Sequence, residues 1–497
     1  MNVYSIKQIR NWDQFTIKND SISSIILMEN AAIKCVDFLV KKFQKHPKFL
    51  IFCGNGNNGG NGFAIARLLY QKGFDIDVYV DKSKEKQTED TRINFERIMN
   101  VSGIEIFDFD EINKNSFNGN FVIIDALFGT GLKKKLEGKY EKLVQLLNSY
   151  SCPKISIDIP SGLLVDENLL ENSTVFNSDF TLSFQSYKKT FLHEETGKFC
   201  GEIHILDIGL SQKYNAETST DNFIIDENLI SGIYKPRNEF SHKGNFGKTC
   251  IIAGNFGKMG ASVLAVKSAL KSGSGLTYAL APKCGYQILQ TTCPEAIFLN
   301  GGEDFINNFE FENNFTCGIG PGLGTNPETE KSFLNFLKTY KDALVLDADA
   351  LNLLAKSPKN LKLIPKNSII TPHLKEFERL FGKTSNSFDR LELAKEKAKE
   401  LQIYIVLKDH HTQIITPEKK VFYNITGNSG MAKGGSGDVL LGIITSLLAQ
   451  KYSPKNAAIF GVWLHGKAGD MAAKILSKEA MLPSDLIKNL GEVFKTI

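Results

Sequence analysis

None of the sequence's eight cysteines form a C-x-x-C pair, and no apolar run reaches the roughly 18 residues that a membrane span requires. Without cysteines paired at short spacing, neither a zinc framework nor a disulfide scaffold is expected. Cysteines 35, 53, 152, 200, 250, 284, 293 and 317 read instead as reduced, mostly buried thiols. The opening segment MNVYSIKQIRNWDQF lacks the apolar centre of a signal peptide, so a cytoplasmic chain with no membrane attachment is expected. Excess charge is missing too. Lys plus Arg number 59 against 55 Asp plus Glu, a net +4, which excludes the clustered basic footprint of a nucleic-acid binder. There is no G-x-x-x-x-G-K-[ST], which argues against P-loop chemistry. No fixed-period repeat or low-complexity segment occurs.

What is present is an ordinary globular composition, 42% hydrophobic and 23% charged, over 497 residues. That length predicts about three domains, or two large ones. Two stretches repeat one rhythm of short apolar run, Gly-rich turn and amphipathic helical pattern. In the first half, KFLIFC (48–53), DIDVYV (75–80), FVIID (121–125) and KISIDI (154–159) read as strands, with helices near 62–72, 88–99 and 138–149. Such alternation predicts a Rossmann-like, doubly wound parallel sheet. Residues 211–247 are polar and weakly periodic and read as a connection, although FIID and LISGIY within it could be short elements of the second domain. The rhythm then restarts, with strands at 249–254, 277–282, 317–320, 343–347, 368–372 and 403–408 and helices near 261–272, 387–401, 436–449 and 455–473. The expected domains are 1–221 and 222–497, both α/β.

Residues 54–62 read GNGNNGGNG between a strand and a helix, so Gly54, Gly56 and Gly59 satisfy the dinucleotide fingerprint G-x-G-x-x-G. A dehydrogenase is one reading. The acidic residue expected about 20 positions on is displaced, because the second strand ends at Asp81. Asn55, Asn57, Asn58 and Asn61 also supply more amide than a pyrophosphate turn uses, and amide oxygens suit a hard cation or a polar ring. A tight turn whose asparagines tolerate left-handed backbone is the structural alternative. Asp125 and Asp158 stand at two further strand ends, the second followed by Pro160, Ser161 and Gly162. Ligands of open parallel sheets bind outside such ends, so Asn58, Asp125, Asp158 and Ser161 are candidates for one cation-capable pocket.

Residues 424–441, NITGNSGMAKGGSGDVLL, place Gly434, Gly435 and Gly437 before an apolar helix, a ready anion hole for a phosphoryl group. Asp438 in the first turn suits a general base, or else a simple helix cap. GIGPGLG (318–324) permits close backbone approach to a ligand, and Asp347, Asp349, His373 and Glu376 stand at neighbouring strand ends. The pair His410–His411 has no third ligand at metal-binding spacing.

MENAA (28–32), GNGNNGGNGF (54–63), DALFGTGL (125–132), DIPSGL (158–163) and TLSFQSYK (181–188) occur in the order found in NAD(P)H-hydrate epimerase domains, which residues 1–210 resemble. The resemblance implies that Asn58, Asp125 and Ser161 ligate K⁺. It also implies that Asn57, Asn58, Gly59, Gly60, Asn61, Gly129, Thr130, Gly131, Leu132, Lys133, Lys134, Lys135 and the catalytic Asp158 meet the substrate. Asn61 departs from the family's usual N-N-G-G-D. HKGNFG (242–247), GNFGKMGASVLA (254–265), GPGLG, DADALN, TPHLKEFERL and GMAKGGSGDVL resemble the ribokinase-like ADP/ATP-dependent NAD(P)H-hydrate dehydratase domain, across about 225–495. By that likeness Ala261, Gly322, Gly324, His373 and the catalytic Asp438 contact the hydrate. Lys408, Asp409, His410, His411, Thr412, Gly434, Gly435, Ser436 and Gly437 hold the nucleotide, Asp409 standing where the family's K-G-x-x-T has glycine.

Together the resemblances imply a bifunctional repair enzyme for hydrated NADH and NADPH, with K⁺ in the first domain and Mg²⁺ and ADP as co-substrate in the second. Its partners would be small molecules, and a homo-oligomer is expected. A vitamin or sugar kinase, a dehydrogenase, and a first domain serving only as a protein-binding module are the rival classes.

Overall fold

Five of the six residues of Lys48–Cys53 are buried, as expected of a parallel strand covered on both faces. A computed structural model describes residues 1–45, 47–83, 86–112, 117, 119–311 and 314–497. In it the chain divides into two units, Asn2–Thr220 and Asp221–Ile497, the latter including Met1.

The first unit is built on β1 (Lys48–Cys53), β2 (Ile76–Val80), β3 (Glu105–Asp108), β4 (Phe121–Ala126), β5 (Lys154–Ile157), β6 (Phe180–Phe184) and β7 (Glu202–Leu206). Their order is β3-β2-β1-β4-β5-β6-β7 and every neighbouring pair is parallel. The strand order therefore reverses between β1 and β4, which opens a crevice at their carboxyl ends. Apolar side chains pack on both faces, one cluster around Phe49, Ile51 and Ile65 and another around Leu50, Phe52 and Ile123. The periodicity did not mark β3, β6, β7 or the helices Ile6–Asn19 and Ser24–Lys42. The run 154–159 stops as a strand at Ile157, because Asp158 turns to φ +68°. The helix expected from residue 62 begins at Asn57, so the asparagines form its first turn.

The second unit holds β8 (Asn222–Ile224), β9 (Lys248–Ile252), β10 (Leu276–Ala281), β11 (Ile297–Asn300), β12 (Thr316–Ile319), β13 (Val345–Leu346), β14 (Ile369–Ile370), β15 (Tyr404–Leu407), β16 (Gln413–Ile415) and β17 (Val421–Tyr423). Their order is β11-β10-β9-β12-β13-β14-β15-β16-β17-β8. Pairing is parallel from β11 to β15, antiparallel through β16 and β17, and parallel again to β8. The reversal lies between β9 and β12. Residues 211–247 are thus a connection only in part: they contain the helices Gln212–Glu217 and Glu227–Ile233 and the edge strand β8. The helix Ser436–Ala449 is buried along most of its length. A Cβ at Gly442 would come within 2.1 Å of Ala265 O, so only glycine lets this helix press against Met259–Lys271.

Candidate active sites

Gly54 and Gly59 are required by packing. A Cβ on Gly54 would lie 1.9 Å from Leu127 O, and one on Gly59 would lie 1.7 Å from Gly54 O. The asparagine helix is thereby drawn against the loop after β4. Asp81 is not placed to serve a ribose: it is buried, lies outside the lining of the unit's cavity, and its Oδ1 accepts from Ser83 Oγ (2.5 Å) and Lys139 Nζ (3.0 Å) and its Oδ2 from Tyr140 (3.1 Å). The fingerprint match is a packing motif here, and the dehydrogenase reading loses its second anchor.

Strand register sets Asp125 beside Ser156. The Asp125 carboxylate is fully buried and accepts from Ser161 Oγ (2.6 Å), Ser161 N (2.8 Å), Ser156 Oγ (3.0 Å) and Leu127 N (3.2 Å). Burial pushes it up to about 6, against the pull of those donors. Asn58 donates Nδ2 to Ile157 O (3.1 Å), while its buried Oδ1 has no hydrogen-bond partner among the described residues. An orphaned amide oxygen, a buried carboxylate and a serine hydroxyl form an all-oxygen donor set, which suits a hard cation and not zinc.

A cavity of about 770 Å³ is lined by Asn57, Asn58, Asn61, Gly129, Thr130, Gly131, Leu132, Lys133, Lys134 and Asp158; Asp125 and Ser161 are not among its lining residues. Lys135, Gly59 and Gly60 are not among its lining residues; the glycines pack behind it. Asp158 holds a left-handed backbone, a costly conformation that aspartate tolerates better than most side chains. Its Oδ2 accepts from Thr130 N (3.0 Å) and its Oδ1 pairs with Lys188 Nζ (3.2 Å). Lys188 is only 1% exposed and also donates to Ser183 Oγ (2.6 Å) and Phe184 O (2.9 Å). In the sequence Lys188 closes the motif TLSFQSYK with no role of its own; a lysine shortly after an apolar strand was the available signal. Asp13 also lines the cavity, and burial together with the Asp158 charge pushes it up to about 7, with Lys188 opposing. A carboxylate on an amphipathic helix carries no local signal in the sequence.

In the second unit the loops after β9, β12 and β13 converge. Gly324 N donates to Asp349 Oδ2 (2.8 Å), Gly254 N donates to Pro321 O (2.8 Å), and Gly322 packs against Lys258 and Ala261. Lys408, following β15, points its Nζ at Asp347 Oδ1 (2.8 Å) and lies 3.8 Å from Glu376 Oε2. A Cβ on Gly437 would lie 3.2 Å from Asp347 Oδ2 and 3.4 Å from Lys408 Nζ, so this ion pair abuts the start of helix Ser436–Ala449. First-turn amides such as those of Gly437 and Asp438 lack intrahelical acceptors and present partial positive charge. Gly435 reaches φ +103° to start the helix. Ser436 is turned inward, its Oγ donating to Met431 O (2.7 Å) and its N to Lys433 O (3.3 Å).

Burial pushes Asp438 up to about 7; Asp347 and Asp349 push the same way and Lys408 opposes them. Glu376 is raised by burial, with Lys408 again opposing. His373 caps helix Leu374–Phe381, its Nδ1 accepting from Lys375 N (3.1 Å) and Glu376 N (3.4 Å). Burial and Lys408 lower it, so the neutral imidazole dominates. Asp409 accepts from Arg390 Nη2 (2.8 Å) and His410 N (2.7 Å), and Arg390 is itself buried. Burial drives His411 down to about 4. Thr412 O receives Asn424 N (2.9 Å), which ties off the segment 408–412. Among the described residues no group of three or more His, Cys, Asp or Glu side chains is arranged to hold a metal ion by itself. Arg390 carried no sequence signal, since its partner lies 19 residues away across the fold.

Two family models match the chain: NAD(P)H-hydrate dehydratase over residues 249–492 and YjeF-related protein N-terminus over residues 24–190. The bifunctional NAD(P)H-hydrate repair enzyme Nnr of Moorella thermoacetica is 32% identical over 521 residues, covering 100% of this chain and 97% of that protein. Its Escherichia coli namesake is 34% identical over 448 residues, covering 90% of this chain and 84% of the relative. Among solved structures, the ADP/ATP-dependent NAD(P)H-hydrate dehydratase of Bacillus subtilis, co-crystallised with ATP and Mg²⁺, superposes with a TM-score of 0.50. It is 31% identical and covers 55% of this chain and 98% of that one. Fold and sites thus define a two-unit α/β enzyme, Rossmann-like and then ribokinase-like. The chain belongs to the family of bifunctional NAD(P)H-hydrate repair enzymes.

Proposed function

We propose that Asn2–Thr220 interconverts the (R) and (S) hydrates of NADH and NADPH, and that Asp221–Ile497 removes water from the (S) form at the expense of ADP. The observation that carries the dehydratase reading is the placement of Asp438. A carboxylate poised near 7 stands at a helix N-terminus beside the Lys408–Asp347 pair. Asp438 accepts the proton of the ring hydroxyl, which attacks the terminal phosphoryl group. The nucleotide supplies that group, and phosphate then leaves where hydroxide would not. The amides of Gly437 and Asp438 stabilise the charge that develops. Ala261, Gly322, Gly324 and His373 face the hydrate, and the 408–412 segment with Gly434, Gly435 and Gly437 holds the nucleotide. Mg²⁺ would be held mainly by the nucleotide's phosphates with Asp347 or Glu376 and would supply positive charge there, since no dedicated cage exists among the described residues.

In the first unit Asn58, Asp125 and Ser161 would hold K⁺, which supplies positive charge beneath the substrate. Asp158, Asn61 and residues 129–134 meet the hydrated ring. Exchanging K⁺ for Li⁺ is expected to slow epimerisation and to leave dehydration of pure (S)-hydrate unchanged. The eight free thiols accord with a reducing, cytoplasmic site of action. The experiment is incubation of mixed NADH hydrates with ADP and Mg²⁺, following recovery of the reduced-ring absorbance. Recovery of all the material supports both activities. Recovery of half removes the epimerase reading, and a stable phosphorylated product makes the second unit a kinase.

A further inference from the structure

We propose that Asp13 is the second acid–base group of the epimerisation, sharing proton transfer with Asp158; the proposal rests on the epimerase reading of this cavity. Inverting a hydroxyl-bearing carbon means losing oxygen from one face and gaining it on the other. One carboxylate cannot attend to both faces. Three carboxylates line the cavity: Asp13, Asp90 and Asp158. Asp90 bonds Ser24 Oγ (2.9 Å) in a solvent-exposed position, whereas Asp13 interacts with Asp158 and the buried Lys188. Asn61 offers only a neutral amide. Asp13 remains, and it reaches the cavity from helix Ile6–Asn19, whereas Asp158 reaches it from the end of β5.

The surroundings suit a shared proton. Asp13 interacts with Asp158 and with buried Lys188, and Arg10, Lys133 and Lys134 line the same cavity. Burial and the Asp158 charge hold Asp13 near 7, so at neutral pH it can still deliver a proton. Lys188 and Thr130 N each hold one Asp158 oxygen and fix its orientation.

In one direction Asp13 protonates the leaving hydroxyl as the C6–O bond breaks. The ring nitrogen's electron pair forms the N1=C6 double bond, and water departs. Water then adds to the other face of C6, its proton passes to the Asp158 carboxylate, and the π pair returns to nitrogen. The product is the other epimer, with one proton moved from Asp13 to Asp158; the reverse reaction or exchange with solvent restores it. Nothing is oxidised or reduced.

The test uses the full chain without nucleotide, with epimer-enriched NADH hydrate separated chromatographically between pH 5.5 and 9. Asp13→Asn is expected to lower kcat by about 100-fold or more with KM little changed, and to abolish the alkaline limb near pH 7. Asp13→Glu is expected to keep a substantial fraction of the rate with that limb displaced. In a separate assay with ADP, dehydration of (S)-hydrate by Asp13→Asn should equal wild type, and an unchanged denaturation transition shows that the first unit is folded. Epimerisation by Asp13→Asn within about threefold of wild type, or a loss confined to KM, overturns the proposal. If Asp13→Asn fails to fold, an unmoved alkaline limb in Asp13→Glu overturns it. A wild-type chain that never epimerises removes the epimerase reading itself, a result distinct from these.

Discussion

Lys408 Nζ lies 2.8 Å from Asp347 Oδ1, and the two side chains abut Gly437 at the start of helix Ser436–Ala449. The lysine therefore neutralises a carboxylate that is 1% exposed. Lys408→Met would leave the Asp347 charge buried and unpaired, at a cost of about 3 kcal/mol. The expected result is a lower denaturation midpoint together with loss of dehydration, with Lys408→Arg restoring most of the midpoint. An unchanged midpoint would mean that Asp347 is solvated.

Asp438 has to be ionised to act as base, so dehydration kcat/KM should rise with pH through about 7. Asp438→Asn is expected to remove nucleotide-dependent dehydration and spare epimerisation. The same substitution should stabilise the fold at pH 8. A carboxyl raised in the folded state gives stability that is complete below about 4 and lost as pH rises through about 7. Asparagine escapes that loss, a gain of about 1–3 kcal/mol at pH 8 that vanishes near pH 4. Denaturation curves at the two pH values measure it.

Lys188 is the buried partner of Asp158. Lys188→Met and Asp158→Ala should each suppress epimerisation and leave dehydration standing. Lys188→Met should act through orientation, raising KM and lowering kcat together. Equal loss of both activities in Asp158→Ala would indicate misfolding.

Arg390 clamps Asp409 inside the segment 408–412. Arg390→Met is expected to raise KM for ADP about tenfold or more, by freeing the loop, without affecting epimerisation. An unchanged KM would show that Lys408 and Thr412 alone order the segment.

Much of the parallel α/β pattern was legible because buried parallel strands are continuous apolar runs and their helices are amphipathic. Half-exposed strands were not: β3 and β11 have no fully buried residue, whereas β13 and β14, two residues each, lie inside the apolar runs 343–347 and 368–372. Residues 211–247 looked like a linker because β8 is an edge strand, paired on one side only.

Local chemistry alone determined the glycine-rich turn at 434–438, the oxygen-rich turns at 57–61, 125 and 158–161, and hence the family. Those features depend on residue type at short spacing. Which groups meet was decided by tertiary structure. Lys188 buried on Asp158, Asp13 in the same cavity, Lys408 on Asp347 and Arg390 on Asp409 all join elements separated along the chain. Each pair's orientation depends on burial and on a partner brought in from another element, and neither exists until the sheets have formed and excluded water.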